Sequence, residues 1–440
     1  MKNTRYIILK ALLRVEGDEA YSNLVLDEVL SDESLDSRDK AFVSAIFYGV
    51  LERRISLDYI IRRHSSVRLK KIEPEVLEIL RMSVYQLVFM DKVPDNAAVN
   101  EAVSLCKREK LYRSSGFVNG LLRSVTRAED RFPLPDEKDT AKYLSVKYSC
   151  PDEIVSLWLA DYGREAAEGV LSSLSGRPPI FIRVNTLRTT QEKLIALLAE
   201  EGVSAEKTAL PNALSMKYTG AISALEAYRE GLFHVQDLSS QICCELVGVR
   251  DGDTVSDVCA APGGKTLTLA QRTPSGEVFS FDIHENKLRL ISASASRLGI
   301  GNVIVKCRDA ASDDPIVMSD AVLCDVPCSG LGVLRRKPEI RYKSDPGVDT
   351  LPGIQLSILE SSARFVKPGG TLVYSTCTLN RRENNDNAAS FLKAHPEFSP
   401  KTLTLPEGVS RTVEEEPNCL TLFPQTNGTD GFFIAAFCRS

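Results

Sequence analysis

Three short peptides in the second half of the chain carry the residues with the most specific chemistry. CAAPGGK spans Cys259–Lys265, DVPCSG spans Asp325–Gly330 and YSTCT spans Tyr374–Thr378. Each ends a β-branched or apolar run that predicts a strand. Because strands of one sheet end along a common edge, we expect the glycine-rich loop and the thiols of Cys328 and Cys377 to meet there. A small ligand beside two thiols indicates covalent chemistry on an electrophilic ring.

The sulfur atoms of Cys328 and Cys377 are the candidate nucleophiles. A buried cysteine usually serves only as packing, but both of these lie just past strand ends, in turns that also contain glycine, serine or threonine. Such polar turns favour a chemical role for the two thiols. The residues alone do not rank one thiol above the other.

A thiolate beside a pyrimidine ring has a specific use. C5 of the ring is a poor nucleophile, but a thiolate that adds to C6 makes C5 able to attack a methyl sulfonium, after which the C5 proton and the thiol must leave. Since an ordinary thiol has a pKa of about 8.5, its surroundings must favour the thiolate. Asp325 is placed to hydrogen-bond the ring near N3 or at the exocyclic amine. The base must be unpaired or flipped out of a helix.

The loop between Cys259 and Lys265 is the candidate cofactor site. Its small residues let a ligand approach the backbone, and the following helix offers free N–H groups at its positive end. Asp282 ends the next strand, where an acidic residue commonly binds ribose hydroxyls. Because Asp309 and Asp325 also follow strands, we expect a nucleoside cofactor without a pyrophosphate, and S-adenosylmethionine fits best.

Two other interpretations of this loop are a nucleoside triphosphate site and a purely structural turn. Gly264-Lys265-Thr266 resembles the end of a Walker A loop, with Asp325 in the place of its magnesium-binding partner. That loop requires glycine five residues before Gly264, but position 259 is cysteine, and Pro262 stiffens the turn. The dinucleotide fingerprint G-x-G-x-x-G does not occur here. These departures count against a P-loop NTPase, which stays the alternative enzyme for this loop.

Alternating strands and helices from residue 237 onward predict a doubly wound α/β sheet. The strand candidates are Thr254–Cys259, Val278–Ile283, Val303–Cys307, Ala321–Val326 and Thr371–Ser375, and the helix candidates are Lys265–Gln271, Glu285–Leu298 and Leu351–Val366. The run Gly431–Phe437 predicts a late antiparallel strand. Since this region, residues 237–440, contains all three peptides, we expect it to be the catalytic domain.

The first 133 residues predict a helical bundle, and residues 145–236 predict a small α+β domain. Apolar residues recur three and four apart in Ser37–Ile61, Pro74–Met90 and Ala97–Lys110, with almost no strand signal. The proline-rich stretch Arg131–Glu137 indicates a boundary between the two domains.

Basic residues cluster in two stretches of the helical region and again after Cys328. The clusters are Arg53, Arg54, Arg62, Arg63, Arg68, Lys70 and Lys71; Lys107, Arg108, Lys110, Arg113, Arg123 and Arg127; and Arg335, Arg336, Lys337, Arg341 and Lys343. Such clusters either follow a phosphate backbone or form a solvated surface, and charge alone does not decide between the two.

Composition excludes several classes of protein. The 440 residues, 43% hydrophobic and 26% charged, exceed a single core and exclude wholesale disorder, while a net charge of −5 argues against coating nucleic acid by bulk charge. No apolar run approaches the roughly 18 residues that cross a bilayer. Eleven scattered cysteines are typical of reduced thiols, which favours the cytoplasm. No zinc set is complete, so we expect no metal, and a monomer is the default.

Longer forms of the peptides resemble the RNA cytosine-C5 methyltransferases of the RsmB/Nop/Sun type. DVPCSGLGVLRRKPEIRYK, YSTCTLNRRENND, HVQDLSSQ (His234–Gln241) and DGFF (Asp430–Phe433) carry this resemblance, together with CAAPGGK. The N-terminal helices resemble a NusB-type RNA-binding domain through RDKAFV, YGV, AVNEAV and FVNGL. The resemblance implies a Rossmann-like class I methyltransferase domain after an all-α NusB-like domain and a small α+β, RRM-like domain.

The resemblance also implies a cofactor, a substrate and residue roles. It implies S-adenosylmethionine as the cofactor, with contacts from Cys259, Ala260, Ala261, Pro262, Gly263, Gly264, Lys265, Asp282, Asp309 and Asp325. Asp309 follows Lys-Cys-Arg where the family more often has glycine. Cys377 is implied as the nucleophile, and Cys328 is implied to assist breakdown of the adduct. The implied substrate is small-subunit ribosomal RNA, with cytosine 967 of 16S rRNA as the expected target.

Three alternatives stay open beside this interpretation. DNA cytosine methyltransferases use a cysteine in a Pro-Cys motif as nucleophile, so the roles of Cys328 and Cys377 can be reversed. The target can be another ribosomal or transfer RNA site. A non-catalytic RNA-binding factor that kept the fold is the third alternative, although two intact cysteines argue against it.

Overall fold

The computed structural model describes residues 3–17, 22–32, 34–218, 220–312, 314–342 and 347–440. The chain forms two compact units, and neither is continuous in sequence. Unit one comprises Met1–Gly176 with Leu334–Ser344, and unit two comprises Arg177–Val333 with Asp345–Ser440. No helix of the described residues is both long enough and apolar enough to cross a membrane.

Unit one is helical, as the apolar periodicity predicts. Its α-helices are α1 (Thr4–Gly17), α2 (Ser22–Leu30), α3 (Ser37–His64), α4 (Pro74–Phe89), α5 (Asp95–Arg108), α6 (Ser115–Thr126), α7 (Thr140–Tyr148) and α8 (Asp152–Ser173). The Asp36 side chain accepts a hydrogen bond from the Asp39 N–H and caps α3, while Pro74 opens α4. Their apolar faces pack into one core that includes fully buried Phe47, Ile79 and Leu122.

The short segment Leu334–Ser344 belongs to unit one because of a buried arginine. Arg341 is 3% exposed, and its guanidinium donates hydrogen bonds to the carbonyl groups of Glu52, Ser149 and Leu174, each at 3.0 Å. A guanidinium supplies these donors in a fixed fork, so one side chain binds three helical segments. The expectation of a phosphate contact or a solvated loop is therefore wrong for Arg341, and Lys343 lies outside the described residues.

Unit two begins with a small antiparallel sheet. Its elements are β1 (Ile180–Val184), α9 (Gln191–Glu200), β2 (Ser204–Lys207), β3 (Ala213–Lys217), α10 (Glu226–Arg229) and β4 (Phe233–Val235). The strand order is β2-β3-β1-β4. Buried residues from strands and helices, among them Ile182, Leu198 and Phe233, form its core. This is the α+β fold that the sequence predicts.

The second sheet of unit two is mixed and contains the three peptides. Its elements are α11 (Leu238–Val247), β5 (Thr254–Asp257), α12 (Gly264–Ala270), β6 (Glu277–Asp282), α13 (Glu285–Leu298), β7 (Val303–Cys307), β8 (Ser319–Asp325), α14 (Leu351–Ala363), β9 (Val366–Thr376), α15 (Asn385–Ala394), β10 (Phe398–Pro400), β11 (Cys419–Leu422), α16 (Pro424–Asn427) and β12 (Phe432–Arg439). The order is β10-β12-β9-β8-β5-β6-β7, with β11 paired to β12.

The strand order of this sheet creates one place for a ligand. Strands β7, β6, β5, β8 and β9 run parallel, and the order reverses between β5 and β8, where open α/β sheets bind ligands. The register pairs Asp325 with Ser375 and Asp257 with Leu323, so β5, β8 and β9 end side by side. The predicted doubly wound fold is confirmed, and the predicted late strand is β12, antiparallel to β9.

Candidate active site

The glycine-rich loop after β5 is fixed by its own backbone. The Ala260 N–H donates to the Phe281 carbonyl at 2.8 Å, and the Gly263 N–H donates to the Ala260 carbonyl at 2.7 Å. Gly263 has φ of 105°, a conformation that side-chain-bearing residues rarely adopt. A Cβ there would also lie 3.1 Å from Cγ1 of Ile291. Glycine at this position therefore sets the shape of the turn that leads into α12.

A cavity of about 180 Å³ lies against this loop. It is lined by Gln236, Asp237, Ser240, Asp257, Cys259, Ala260, Ala261, Pro262, Gly264, Lys265 and Asp325. The loop residues and Asp325 are among those that the sequence singles out. The sequence points to Gln236, Asp237 and Ser240 only through the family resemblance, and it does not single out Asp257. The signals that point to these four are their positions: Gln236 and Asp237 lie just before α11, Ser240 lies in its first turn, and Asp257 ends β5.

Three of the predicted cofactor residues, Gly263, Asp282 and Asp309, are not among the described residues that line this cavity. Asp282 accepts hydrogen bonds from the Ala261 N–H at 3.2 Å and from the His284 N–H at 2.9 Å, which fastens the end of β6 to the glycine-rich loop. Asp309 accepts from the Ala311 N–H and the Ser312 hydroxyl, both at 2.9 Å, in its own turn. Neither carboxylate is among the described residues that line the cavity.

Lys265 and Asp325 form an ion pair at the edge of the cavity. The Lys265 ammonium lies 2.7 Å from Oδ2 of Asp325, and the Ser375 hydroxyl donates to Oδ1 of Asp325 at 2.7 Å. Burial alone would lower the pKa of Lys265, but the neighbouring Asp325 carboxylate raises it above its ordinary value. The lysine therefore stays charged, and the ring of Phe432 lies 5.1 Å from its ammonium.

Asp257 is a carboxyl group in an unusual environment. It is 1% exposed, and its Oδ2 accepts a hydrogen bond from the Thr266 hydroxyl at 2.7 Å, while Oδ1 has no hydrogen-bond partner within the described residues. Burial raises the pKa of Asp257 to about 7, and the nearby Asp325 carboxylate acts in the same direction. Asp257 lines the cavity, and its carboxyl oxygen without a partner can accept a hydrogen bond from a ligand donor.

The two predicted thiols meet at this edge of the sheet. The sulfur atoms of Cys328 and Cys377 lie 3.1 Å apart, and both side chains are partly buried. The hydrogen bond between the two thiols raises the pKa of Cys328 well above its ordinary value, and burial and the charge of Glu383 add to the effect. This shift favours the protonated form of Cys328, and either thiol can be the donor in the contact between the two sulfur atoms.

Metal ligands do not gather here. Within the described ranges, no group of three or more histidine, cysteine, aspartate or glutamate side chains is arranged to hold a metal ion. The site consists instead of a glycine-rich turn, an ion pair and two adjacent thiols.

The basic residues of the helical unit differ in exposure. In the first cluster Arg53 donates to the Lys147 carbonyl and Arg54 pairs with Glu16. The exposed basic residues are Arg62, Arg63, Arg68, Lys70 and Lys71 in the first cluster, and Lys107, Arg108, Lys110, Arg113, Arg123 and Arg127 in the second. These exposed side chains are the ones available to an anionic partner.

Comparison with family models gives matches over most of the chain. The model described as 16S rRNA methyltransferase RsmB/F matches residues 244–438. The NusB family model matches residues 2–127, and a ferredoxin-like domain model of RsmF/B-like methyltransferases matches residues 150–223. The three matches follow one another along the chain without overlap.

Individual proteins are similar over their full length. A probable ribosomal RNA small subunit methyltransferase B of Bacillus subtilis (strain 168) is 36% identical, with 99% of each chain covered. One from Synechocystis sp. is 34% identical with the same coverage. Among solved structures, the crystal structure of PH0851 aligns with a TM-score of 0.82 at 26% identity and covers 99% of both chains.

The raised pKa of Asp257 predicts a pH dependence of stability. A carboxyl whose pKa is higher when folded contributes stability that is fully present below its ordinary value near 3.8 and is lost as pH rises through about 7. The Asp257→Asn variant carries a neutral isostere and should show a flatter dependence of unfolding free energy between pH 4 and 8. The difference should reach about 4 kcal/mol at most. Urea unfolding of both proteins across this pH range measures it, and parallel curves would contradict the prediction.

Proposed function

This chain belongs to the RsmB/F family of 16S rRNA methyltransferases, and we propose that it methylates C5 of a cytosine in small-subunit ribosomal RNA. S-adenosylmethionine is the proposed methyl donor, and a covalent adduct between Cys377 and C6 is the proposed intermediate. The observation that carries the proposal is the pair of sulfur atoms, which lie 3.1 Å apart. They lie at the same edge of the sheet as the cavity beside the glycine-rich loop.

The residues around the cavity fit the methyl donor. The unpartnered Oδ1 of Asp257 can accept a hydrogen bond from the ammonium group of the methyl donor, and Gly263, with φ of 105°, keeps the turn beside the cavity in its present shape. The cavity is smaller than the several hundred Å³ of a typical cofactor pocket, so we propose that it holds the amino-acid end and that the nucleoside extends toward Asp282 and Asp309. When bound, the donor supplies an electrophilic methyl group on a sulfonium.

The proposed reaction uses the two thiols in sequence. The Cys377 thiolate adds to C6 and forms a C–S bond, which gives C5 the electron density to take the methyl group. A water molecule then takes the C5 proton, the electron pair left behind forms the C5–C6 double bond, the C6–S bond breaks, and the Cys377 thiolate is regenerated. Cys328, in its protonated form, donates a hydrogen bond to the departing Cys377 sulfur and so assists the elimination step. Asp325, oriented by Lys265, accepts a hydrogen bond from the exocyclic amine of the base.

The exposed basic residues of the NusB-like region support ribosomal RNA as the partner. Arg63 and Arg123 are examples from two helices whose ends are joined by the hydrogen bond between His64 and Ser124 at 2.9 Å. Phosphate contacts by such side chains position an RNA without reading its sequence. We propose that the enzyme acts as a monomer in the cytoplasm, where ribosomal subunits are assembled.

Binding of the methyl donor can be separated from binding of a nucleoside triphosphate. S-adenosylmethionine at a hundred times its Kd should stabilise the protein by about 2.7 kcal/mol, and Asp282→Ala should weaken this binding at least about tenfold because the ribose loses an acceptor. Differential scanning fluorimetry measures both effects. Stabilisation by ATP with Mg²⁺, but not by the methyl donor, would favour a P-loop NTPase and contradict the proposal.

The roles of the two thiols give a second prediction. Cys377→Ala should lose methylation of 16S rRNA by about a thousandfold or more, because no thiolate adds to C6. Cys328→Ala should instead accumulate a covalent protein–RNA adduct that migrates more slowly on a denaturing gel. If Cys377→Ala traps the adduct, the roles are reversed, as in the DNA enzymes. If neither variant forms an adduct and both keep activity, the covalent mechanism is wrong.

The target nucleotide is a separate proposal, which rests on the relatives named ribosomal RNA small subunit methyltransferase B. We propose cytosine 967 of 16S rRNA. Bisulfite sequencing of ribosomal and transfer RNA from cells that lack the gene should show complete conversion of this cytosine, which stays protected in the parent strain. Protection at 967 in both strains, with loss at another site, would assign the enzyme to that site.

A further inference from the structure

We infer that Glu383 is a positioning residue that holds the loops of Cys328 and Cys377 at reacting distance. Glu383 is not among the described residues that line the cavity, and it makes no hydrogen bond to either sulfur atom. It acts through the chain segments that carry the two thiols. The inference rests on the proposed function for its meaning in catalysis. Its geometric part, the spacing of two sulfur atoms, can be measured without any RNA.

Glu383 is a buried carboxylate surrounded by neutral donors. The residue is 0% exposed. Its Oε1 accepts from the Ser329 hydroxyl at 2.5 Å and the Asn380 amide at 2.9 Å, and its Oε2 accepts from the Ser329 N–H at 2.9 Å and the Gln355 amide at 2.8 Å. These four hydrogen bonds offset the cost of burying a charge without a cation among their donors.

The donors come from three separate segments. Ser329 directly follows Cys328, Asn380 lies three residues after Cys377, and Gln355 belongs to α14. One carboxylate therefore joins the two cysteine loops to each other and to α14. Because the two oxygens of a carboxylate are held in one plane at a fixed separation, a shift of either loop breaks hydrogen bonds to a buried charge, which is strongly unfavourable.

Two further contacts join the same loops, and both depend on close approach. The hydroxyl groups of Ser329 and Thr378 lie 2.7 Å apart. The Gly332 N–H donates to the Cys377 carbonyl at 3.0 Å, where a Cβ on Gly332 would lie only 2.8 Å from that oxygen. These two contacts form only when the loops are already aligned. Glu383 accepts hydrogen bonds from a side chain of each cysteine loop, Ser329 in one and Asn380 in the other.

The charge of Glu383 has a direct effect on Cys328. The ionisable groups that act on this thiol are Cys377 and Glu383, and the Gly330 N–H opposes them. A fixed negative charge disfavours a thiolate on Cys328. The carboxylate that binds both cysteine loops therefore also favours the protonated form of Cys328.

Another buried carboxylate in unit two provides a control. The Glu415 side chain is 2% exposed and accepts from the Thr421 N–H and hydroxyl, both at 2.9 Å, and from the Arg411 guanidinium at 3.2 Å. Its hydrogen-bond donors lie within a few residues of it in the chain, and its loop contains neither cysteine. Glu415→Gln should therefore cost stability as Glu383→Gln does, without moving the thiols.

The test compares Glu383→Gln, Glu415→Gln and the parent protein with dibromobimane, which bridges two neighbouring thiols by displacing two bromides. Peptide mapping follows the bridged Cys328–Cys377 pair. In Glu383→Gln an amide N–H₂ replaces one acceptor oxygen and faces donors, so we expect the bridging rate to fall about ten- to a hundredfold, although loss of the negative charge by itself favours the Cys328 thiolate. Methylation kcat should fall similarly, while the Kd of S-adenosylmethionine stays within about twofold. Glu415→Gln should bridge at the parental rate.

A milder variant keeps the inference open to disproof if Glu383→Gln does not fold. Ser329→Ala removes one of the four donors and should slow bridging several-fold, with the methyl-donor Kd unchanged. Parental bridging in folded Glu383→Gln, or in Ser329→Ala, overturns the inference, and so does equal slowing in Glu415→Gln. If the parent protein methylates no RNA but bridging follows the expected order, the proposed function fails and the positioning role stands.

Discussion

The hydrogen bonds of Asp325 hold the two halves of the active site together. This carboxylate ends β8, pairs with Lys265 at the start of α12, and accepts from Ser375 at the end of β9. One side chain thus joins the glycine-rich turn to the strand that delivers Cys377. The topology makes this contact available, because β5, β8 and β9 are adjacent and parallel. Without that order of strands, the cavity and the thiols would lie at separate places.

Such a site places several charges in a protein interior. Asp257, Lys265 and Glu383 are each nearly or fully removed from water, and burial of a charge is unfavourable unless it is paired or hydrogen-bonded. The three groups meet this requirement in different ways. Lys265 has an anionic partner, Glu383 has four neutral donors, and Asp257 has a raised pKa that favours its neutral form. The charge that each group carries thus follows from its donors and neighbours.

The sequence permits a good part of this site to be predicted. Strand-ending peptides indicate that the loop and the thiols share one edge of the sheet, and the 3.1 Å separation of the sulfur atoms agrees with that expectation. Glu383 was beyond reach, because its donors come from segments up to 54 residues away and only the pairing of β8 with β9 brings them together. Arg341 was misjudged for a related reason: in a basic run, periodicity and charge do not reveal that one guanidinium will find three carbonyl groups.

The discontinuity of unit one has a consequence for synthesis. Helices α7 and α8 leave the ribosome long before Arg341 does, so the carbonyl groups of Ser149 and Leu174 stay without their native donor while more than 150 further residues are made. Until then water can bind these carbonyl groups, and their buried hydrogen bonds to Arg341 form only when its segment has been made. The helical unit is therefore complete only after Leu334–Ser344 has been made. A fragment that stops at Gly176 lacks the buried Arg341 side chain.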